Sequence, residues 1–390
     1  MPLRPHQTDA LDAMANHTKG QIIVPTGGGK TKCMIQDAKR LFNTQEVSTI
    51  VVVAPRILLA EQLSSEFLEE IDDVSVMHVH SGETPHFSST KAIEIYWWDE
   101  RTVGNKIIFT TYHSLHRIRN SNIAVDTIYF DEAHNSVNRN FFPSVRYYGT
   151  MGADRCFFFT ATPKHSLTPF KAGMNDTEVY GDVLINVPAP KLVDEGYILP
   201  PKVEVYKSRL LRKDEIYSEV ESDQMIGAID KLEVDKVLIC AKSTKQIIGL
   251  LSQSDFCYEL NMRDYSWMTI TSKTGAIING QKVGRDEFFD TLNAWGKDDE
   301  KKFVVLHHSI LAEGINVKGL EAALFMRNMD YITISQTIGR VIRLGNDKKT
   351  HGKVCVPVYN NVGISTARRV EAVVDTVFNQ GQPAISVITR

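Results

Sequence analysis

The sequence predicts an α/β protein with doubly wound parallel sheets, and two patterns support this fold class. Apolar runs rich in β-branched residues recur along the chain, and the run STIVVVA at 48–54 is typical of a strand that is buried on both faces of a parallel sheet. Segments with helical spacing separate these runs, as in 57–70, where Leu59, Leu63 and Phe67 lie on one face. Strands that alternate with helices favour a doubly wound parallel sheet.

The same alternation continues through both halves of the chain. In the first half, strands are predicted at 21–24, 48–54, 74–80, 93–97, 106–112, 125–130 and 155–159, with helices at 30–42 and 57–70. In the second half, strands are predicted at 236–241, 267–271 and 302–307, with helices at 243–251 and 283–295. The residues after 353 are expected to add a strand, a helix and a last strand that finish the second sheet. A proline-rich stretch between the halves predicts domains at 1–190 and 203–390, joined by a linker at 191–202.

Composition indicates a protein of the soluble, globular class. Its 390 residues suggest about two domains, and 43% hydrophobic with 23% charged residues is ordinary for that class. The net charge of -3 argues against a uniformly basic nucleic-acid coat but leaves a local basic groove open. The five cysteines show no C-x-x-C spacing, and no apolar run reaches the length of a membrane span. We therefore expect a cytoplasmic protein without a membrane partner.

A glycine-rich turn after the first strand predicts a phosphate-binding loop. It reads VPTGGGKT at 24–31 and leads directly into a predicted helix. Consecutive glycines allow backbone N–H groups to surround a polyphosphate, and the helix dipole favours the same anion. Lys30 then supplies a cation for the β- and γ-phosphates, and the Thr31 hydroxyl is placed to ligate magnesium. The turn lacks the first glycine of the full pattern, because Val24 stands there.

Two adjacent carboxylates follow a predicted buried strand. Asp131 and Glu132 come directly after 125–130, so they are expected at the carboxyl edge of the sheet. One carboxylate can hold Mg²⁺ through its water shell, and the other can orient and deprotonate an attacking water. The strand 155–159 runs into Thr160 and Thr162, whose hydroxyls can hydrogen-bond the carboxylate loop and respond to its state.

The motif set, taken in order, resembles that of a superfamily 2 helicase. The matching segments of the first half are PTGGGKT at 25–31, VVVAPRILLAEQ at 51–62, TTYHSL at 110–115, DEAH at 131–134 and TATP at 160–163. Those of the second half are ILAEGINV at 310–317 and SQTIGRVIR at 335–343. The opening LRPHQ, with EGINVKGL and QTIGRVIR, is most similar to the branch that contains UvsW-type, XPB-type and restriction-subunit helicases. The resemblance implies two tandem RecA-like domains with an ATP cleft between them.

The resemblance also implies a set of site residues for ATP and Mg²⁺. Gln7 would contact adenine, and magnesium would be held by Thr31 and Asp131, with Glu132 serving the attacking water. The phosphates would be cradled by Thr26, Gly27, Gly28, Gly29, Lys30 and Thr31, with Glu313 and Gly314 contributing from the second domain. Gln336, Arg340 and Arg343 have helical spacing, which predicts one shared face that reaches the γ-phosphate.

Nucleic acid is the implied partner, and DNA is favoured over RNA. Positions where such helicases touch the nucleic-acid backbone correspond to Arg56, Thr111, Thr271, Lys273 and Thr274. Thr160 and Thr162 would couple hydrolysis to movement. The expected activity is that of an ATP-dependent helicase or translocase, active as a monomer with an unidentified recruiting protein. Three alternatives stay open, namely a double-stranded DNA translocase without strand separation, an RNA helicase, and an ATP-gated binding module without useful turnover.

Overall fold

The protein divides into two compact units in a computed structural model. The structure describes residues 2–44, 47–207, 216–271, 273–308, 319–345 and 349–389. The first unit comprises Met1–Pro188 together with Pro383–Arg390, and the second comprises Ala189–Gln382. The domain limits 1–190 and 203–390 stay predictions, and the segment 191–202 contains the end of one helix and the start of one strand.

The first unit contains a wide sheet whose strands are all parallel. Within the described residues its strand order is β4-β3-β5-β2-β6-β7-β1-β9. The strands of this unit that precede residue 189 are β1 (Lys19–Ile23), β2 (Thr49–Ala54), β3 (Ser75–Val79), β4 (Phe87–Ser88), β5 (Lys106–Thr111), β6 (Thr127–Phe130), β7 (Arg155–Thr160), β8 (Lys164–Ser166) and β9 (Val183–Asn186). All six residues of β2 are buried, as expected for a strand covered on both faces.

Helices cover this sheet, and their apolar side chains complete its core. They are α1 (Pro5–Asn16), α2 (Lys30–Thr44), α3 (Ile57–Leu68), α4 (Ala92–Arg101), α5 (Leu115–Ser121), α6 (Phe142–Tyr147) and α7 (Thr177–Tyr180). A 3₁₀ turn spans Ala133–Asn135, and a π-helical turn spans Tyr148–Gly152. One face of the sheet packs through residues such as Val53, Ile108 and Phe158.

The second unit also contains an α/β sheet, but this sheet is mixed. The order among the described strands is β10-β17-β16-β11-β15-β12-β13-β14, and only the pairs β12–β13 and β13–β14 are antiparallel. Its strands are β10 (Pro201–Lys207), β11 (Lys236–Cys240), β12 (Ser266–Thr271), β13 (Gly275–Ile278), β14 (Gln281–Val283), β15 (Phe303–His307), β16 (Ala322–Phe325) and β17 (Gly352–Val358). Its helices are α8 (Ala189–Asp194), α9 (Tyr217–Leu232), α10 (Thr244–Ser252), α11 (Phe256–Asn261), α12 (Arg285–Lys297), α13 (Tyr331–Val341) and α14 (Asn361–Val373), followed by a π-helical segment Val374–Asn379.

The predicted α/β class is confirmed, and the antiparallel hairpin of the second sheet is an addition to it. The hairpin turn lies at Asn279 and Gly280, whose φ angles of 46° and 86° are both positive. Two positive φ angles characterise the tight turn that an Asn-Gly pair favours between antiparallel strands. Among the described residues, none of the helices combines the length and apolar character needed to cross a bilayer.

The predicted strand at 93–97 is wrong, because these residues lie in α4. Ile93, Ile95 and Trp97 alternate along the sequence, which suggested a strand. In the structure only Ile95 of these three is buried, while Ile93 and Trp97 are 59% and 48% exposed. Ile95 and Trp98, three residues apart, pack toward the core, so the buried face has the helical period.

The last strand was also predicted wrongly, since it does not finish the second sheet. The strand β18 (Ser386–Ile388) pairs in parallel with β8 of the first unit. The N–H of Ser386 donates to the carbonyl of Pro163 at 3.1 Å, and the N–H of Leu167 donates to the carbonyl of Ile388 at 3.0 Å. The chain therefore passes from one unit to the other at 188–189 and again at 382–383.

A buried carboxylate joins α2 to two strands of the first sheet. Asp37 is fully buried and accepts hydrogen bonds from the Tyr129 hydroxyl at 2.7 Å and from the Arg155 guanidinium at 2.9 and 3.1 Å. Burial, with Asp37 alongside, raises the pKa of Tyr129, so its hydroxyl remains a donor. Arg155 also donates to the carbonyl of Met14 at 2.9 Å. Because Arg155 contacts both Asp37 of α2 and the carbonyl of Met14 in α1, it holds the two helices in place relative to each other.

We predict that Asp37→Asn lowers the free energy of unfolding by about 3 kcal/mol, because it leaves the Arg155 guanidinium, whose side chain is only 14% exposed, without its counterion. Urea unfolding of the variant beside the parent protein measures the change. Asp12→Asn removes the same charge from an exposed position of α1 and is expected to stay within about 0.5 kcal/mol. Equal stability of the two variants would refute the structural role of Asp37.

Candidate functional site

One edge of the first sheet carries the predicted site residues of that unit. All its strands run in the same direction, so their carboxyl ends meet at this edge. The side chains and loops attached there are the loop 24–31 after β1, Arg56 after β2, Thr111 at the end of β5, Asp131 and Glu132 after β6, and Thr160 and Thr162 at β7. The strand β7 lies between β1 and β6. The threonines therefore stand between the glycine loop and the carboxylates.

The glycine loop has the backbone conformation that its sequence suggested. Gly27 and Gly29 have φ angles of 86° and 88°, in the region that favours glycine. Lys30 begins α2 and is buried, and Thr31 follows in the first turn. The hydroxyl oxygen of Thr26 is buried and has no hydrogen-bond partner within the part of the chain that the structure describes. An unsatisfied buried hydroxyl in such a loop is suited to a polar ligand.

The N-cap and first turn of α1 contact this loop through three side chains. Arg4 Nη1 donates to the carbonyl of Gly27 at 3.1 Å, and Gln7 Nε2 donates to that of Gly29 at 3.2 Å. Between them, His6 Nε2 lies 2.7 Å from the carbonyl of Gly28. Gln7 Oε1 accepts from the backbone N–H of Arg4 at 2.9 Å. The role of Gln7 at adenine stays a prediction, and the contacts of Arg4 and His6 were not foreseen, since nothing in their spacing indicates the loop.

Lys30 and the two carboxylates lie close together in a region of low exposure. Lys30 Nζ is 3.8 Å from Glu132 Oε1, with side chains that are 9% and 11% exposed. Burial, reinforced by the neighbouring Glu132, raises the pKa of Asp131, and Lys30 opposes this shift. A bound cation would favour the ionised form of Asp131. The carboxylate pair therefore has the charge and the burial that suit a divalent cation.

The backbone of the carboxylate loop is held in an unusual conformation. Glu132 has φ 45° and ψ 54°, a left-handed conformation that is uncommon for a residue with a side chain. The Tyr112 hydroxyl donates to the carbonyl of Asp131 at 2.8 Å, and burial raises the pKa of Tyr112. Such conformations cluster at functional sites, where the surrounding structure maintains them.

His134 connects the carboxylate loop with the threonines at β7, and the sequence reasoning did not single it out. Its Nδ1 lies 3.2 Å from Thr160 Oγ1 and 3.2 Å from Thr162 Oγ1. The same nitrogen is 3.6 Å from Glu132 Oε2. The only sequence signal was its place as the last residue of DEAH. A change in the position of Glu132 can thus reach both threonines through one imidazole ring.

In the second unit, α13 carries Gln336 and Arg340, and both are buried. The helix α13 ends at Val341, two residues before Arg343, and a shared face for the three side chains stays a prediction. The carbonyl of Ile342 accepts from the N–H of Leu199 at 2.7 Å, and that of Arg343 accepts from Lys349 Nζ at 2.7 Å. These carbonyls are satisfied outside the helix, so the helix does not need to continue.

The predicted nucleic-acid contacts differ in how accessible they are. Arg56 and Lys273 are exposed, whereas Thr111 and Thr271 are buried. Thr271 Oγ1 accepts from the backbone N–H of Thr274 at 3.0 Å, and the two hydroxyl oxygens lie 2.7 Å apart. Glu313 and Gly314 lie outside the described residues.

The residues of the first sheet edge fit a nucleoside triphosphate with Mg²⁺. The loop offers two glycines with positive φ, which allow a backbone to curve around an anion. Beside them lies the Thr26 hydroxyl, for which the described residues provide no hydrogen-bond partner. Lys30 could supply a cation for the phosphates, and Thr31 and Asp131 carry oxygen atoms of the kind that magnesium prefers.

Comparison with known proteins supports the resemblance that the motifs suggested. Residues 1–165 match the family model of the Type III restriction enzyme, res subunit, so the resemblance to that branch of superfamily 2 is confirmed over this segment. A comparison with curated protein sequences yields no match.

Solved structures of Type ISP restriction-modification enzymes show the same fold. The enzyme LlaBIII bound to DNA matches with a TM-score of 0.76 and 17% identity over 100% of this chain and 31% of that chain. A nuclease-deletion mutant of LlaGI, in complex with a DNA substrate mimic, matches with a TM-score of 0.68 and 18% identity over 99% of this chain and 30% of that chain. The chain thus spans less than a third of the length of either enzyme.

We predict that Gly29→Ala weakens binding of Mg²⁺–ATP by about tenfold, since its Cβ would lie 2.3 Å from Gln7 Nε2. Gly104→Ala is a matched control, because Gly104 has a similar φ of 84° and nothing within 4 Å of the added Cβ. Both variants are expected to lose about 1 kcal/mol of stability from the left-handed backbone. Isothermal titration of both variants with ATP, alongside thermal unfolding, separates the two effects. Equal ATP affinity of both variants would contradict a role for the Gly29 contact.

Proposed function

We propose that this protein is an ATP-dependent nucleic-acid motor of superfamily 2 that acts on DNA as a helicase or translocase. The observation that carries the proposal is the placement of the glycine loop and the Asp131–Glu132 pair on one sheet edge, with Lys30 Nζ 3.8 Å from Glu132. The match of residues 1–165 to the res-subunit family supports it.

The residues of this edge have distinct tasks in ATP binding. The β- and γ-phosphates of the substrate are bound by the Lys30 ammonium and by backbone N–H groups of 26–31. The N–H of Gly28 is an exception, because it donates to the carbonyl of Pro25 at 2.9 Å. Lys30, which lies beside Glu132 in the structure, can exchange this carboxylate for the phosphates. Thr31 and Asp131 would hold Mg²⁺, which neutralises charge on the phosphate oxygens when bound.

Hydrolysis requires a base beside the γ-phosphate, and Glu132 is the proposed base. Its left-handed backbone and the Tyr112 contact to the preceding carbonyl keep its carboxylate close to Lys30. From that position Glu132 orients the attacking water and accepts its proton. Gln336, Arg340 and Arg343 are proposed to stabilise the transferring γ-phosphoryl group, because arginine stays charged and can fork onto phosphate oxygens.

DNA is the proposed track. Two Type ISP restriction-modification enzymes with this fold were solved with DNA or a DNA substrate mimic, which favours DNA over RNA for this chain. Arg56, Lys273 and Thr274 are proposed to contact the backbone of the strand, with Thr111 and Thr271 shaping the loops behind them.

We predict that a nucleic acid stimulates ATP hydrolysis and that both Lys30→Ala and Glu132→Gln abolish the stimulation. The rates are measured with single-stranded DNA, duplex DNA, forked DNA and single-stranded RNA added separately. We expect a loss of at least about a hundredfold in each variant, as for removal of a catalytic group. Lys32→Ala is the matched control, because Lys32 lies in the same helix and pairs with Glu70 at 2.6 Å.

The pattern of stimulation distinguishes the competing functions. Stimulation by DNA supports the proposed motor, and the best DNA form identifies its track. Stimulation by RNA alone would replace the DNA track with an RNA one. ATP hydrolysis that no nucleic acid stimulates, or ATP binding without hydrolysis, would contradict the proposed motor function and favour a nucleotide-gated binding module.

We further predict that the double variant Thr160→Val/Thr162→Val uncouples hydrolysis from movement. Each valine keeps the side-chain shape but removes a hydroxyl that contacts His134. Basal hydrolysis is expected to stay within about threefold, while translocation falls about tenfold, in line with the loss of two modest hydrogen bonds. Displacement of a triplex strand measures translocation. A parallel fall of both rates would show that the threonines serve hydrolysis itself.

A further inference from the structure

One side chain at the N-cap of α1 and two in its first turn contact three successive carbonyls of the glycine loop. Arg4, His6 and Gln7 contact the carbonyls of Gly27, Gly28 and Gly29, in that order, at 3.1, 2.7 and 3.2 Å. His6 and Gln7 are 1% and 4% exposed, and the contact of His6 with the Gly28 carbonyl is buried. A carbonyl oxygen can only accept, and the Nε2 of His6 therefore carries the hydrogen.

The contacts of His6 and Gln7 bear on the direction in which the loop presents the N–H groups that follow them. The N–H of Gly28 instead donates to the carbonyl of Pro25 at 2.9 Å. A peptide unit that turns its carbonyl toward one side presents its N–H group to the other. A phosphate-binding loop must direct N–H groups at the anion, so its carbonyls need partners behind the loop. Because Gly27 and Gly29 lack a Cβ, this backbone can adopt many conformations in the absence of such partners. The side chains of 4–7 supply them.

The support behind the loop is itself fixed at both ends. The N–H of Arg4 donates to Gln7 Oε1 at 2.9 Å, which holds the segment in the first turn of α1. At the other end of α1, Arg155 donates to the carbonyl of Met14 and pairs with Asp37 of α2. The Arg155 guanidinium thus joins α1, which precedes the loop, to α2, which follows it. This link opposes a movement of α1 that would take His6 away from the loop.

We infer that His6, supported by Arg4, is a positioning residue for the phosphate-binding loop and sets its affinity for the triphosphate group whatever base is attached. The inference rests on the proposed nucleotide-binding function of that loop. His6 acts through the carbonyl of Gly28, and Gln7 is the member of the segment that is proposed to read the base. Recognition of the polyphosphate then depends on an imidazole located outside the glycine-rich motif.

Equilibrium binding with two ligands tests this inference. Mg²⁺–ATP and Mg²⁺–tripolyphosphate, which has no base, are titrated into the parent protein, His6→Ala, His6→Gln and Lys30→Ala. We expect His6→Ala to weaken both ligands by the same factor of about tenfold. We expect His6→Gln, which keeps a terminal N–H donor, to recover affinity to within about threefold. His17→Ala is the matched control, because His17 is an exposed histidine that bonds the carbonyl of Ala13 at the far end of α1.

Each outcome bears on the inference. Unchanged affinity in His6→Ala overturns it, as does loss of ATP binding with tripolyphosphate binding retained, which would make His6 a base contact. Equal losses of affinity in His6→Ala and His6→Gln would contradict the inference, because they would show that the N–H donor to the Gly28 carbonyl does not set the affinity. If the parent protein binds neither ligand, the proposed nucleotide-binding function fails and this inference fails with it. Thermal unfolding is run on every variant, and if His6→Ala does not fold, Arg4→Ala, at a partly exposed position, is tested in its place.

Discussion

The common direction of the strands in the first sheet is the constraint on which the candidate site depends. Because all of them run the same way, residues far apart in sequence meet at one edge. Lys30 and Glu132 are an example, since each follows a different strand and they lie 3.8 Å apart. A single reversed strand among β1, β6 and β7 would carry one of the three groups to the opposite edge.

The charged side chains at this edge have opposite signs and lie close together. Lys30 is the cation that the structure shows against the Asp131–Glu132 pair, and burial of Asp131 makes its ionised form costly. The ion pair can be replaced by bound ions, because a cation would stabilise the ionised carboxylates and an anion would pair with the lysine. The left-handed backbone of Glu132 indicates that packing maintains this geometry against its local preference.

Much of the first unit could be predicted from the sequence, because its signals are local. The run at 48–54 forms a fully buried strand, and the glycine loop and the carboxylates lie where their motifs indicated. Two features that the sequence did not reveal depend on partners that are remote in sequence. The strand β18 pairs with β8 next to Pro163, and His6 contacts the carbonyl of Gly28 in the glycine loop. In 93–97 the apolar residues do alternate, but Ile93 and Trp97 are exposed, so the alternation does not mark a buried strand face.

The pairing of β18 with β8 makes the second unit an insertion within the first. Residues 383–389 complete a structure that begins at the N-terminus, so the first unit cannot acquire all its contacts until the whole second unit has been synthesised. During synthesis the segment after Pro163 must therefore wait without its partner strand while the inserted unit folds. The stage of synthesis at which the first unit can complete its contacts is thus set by a strand of three residues.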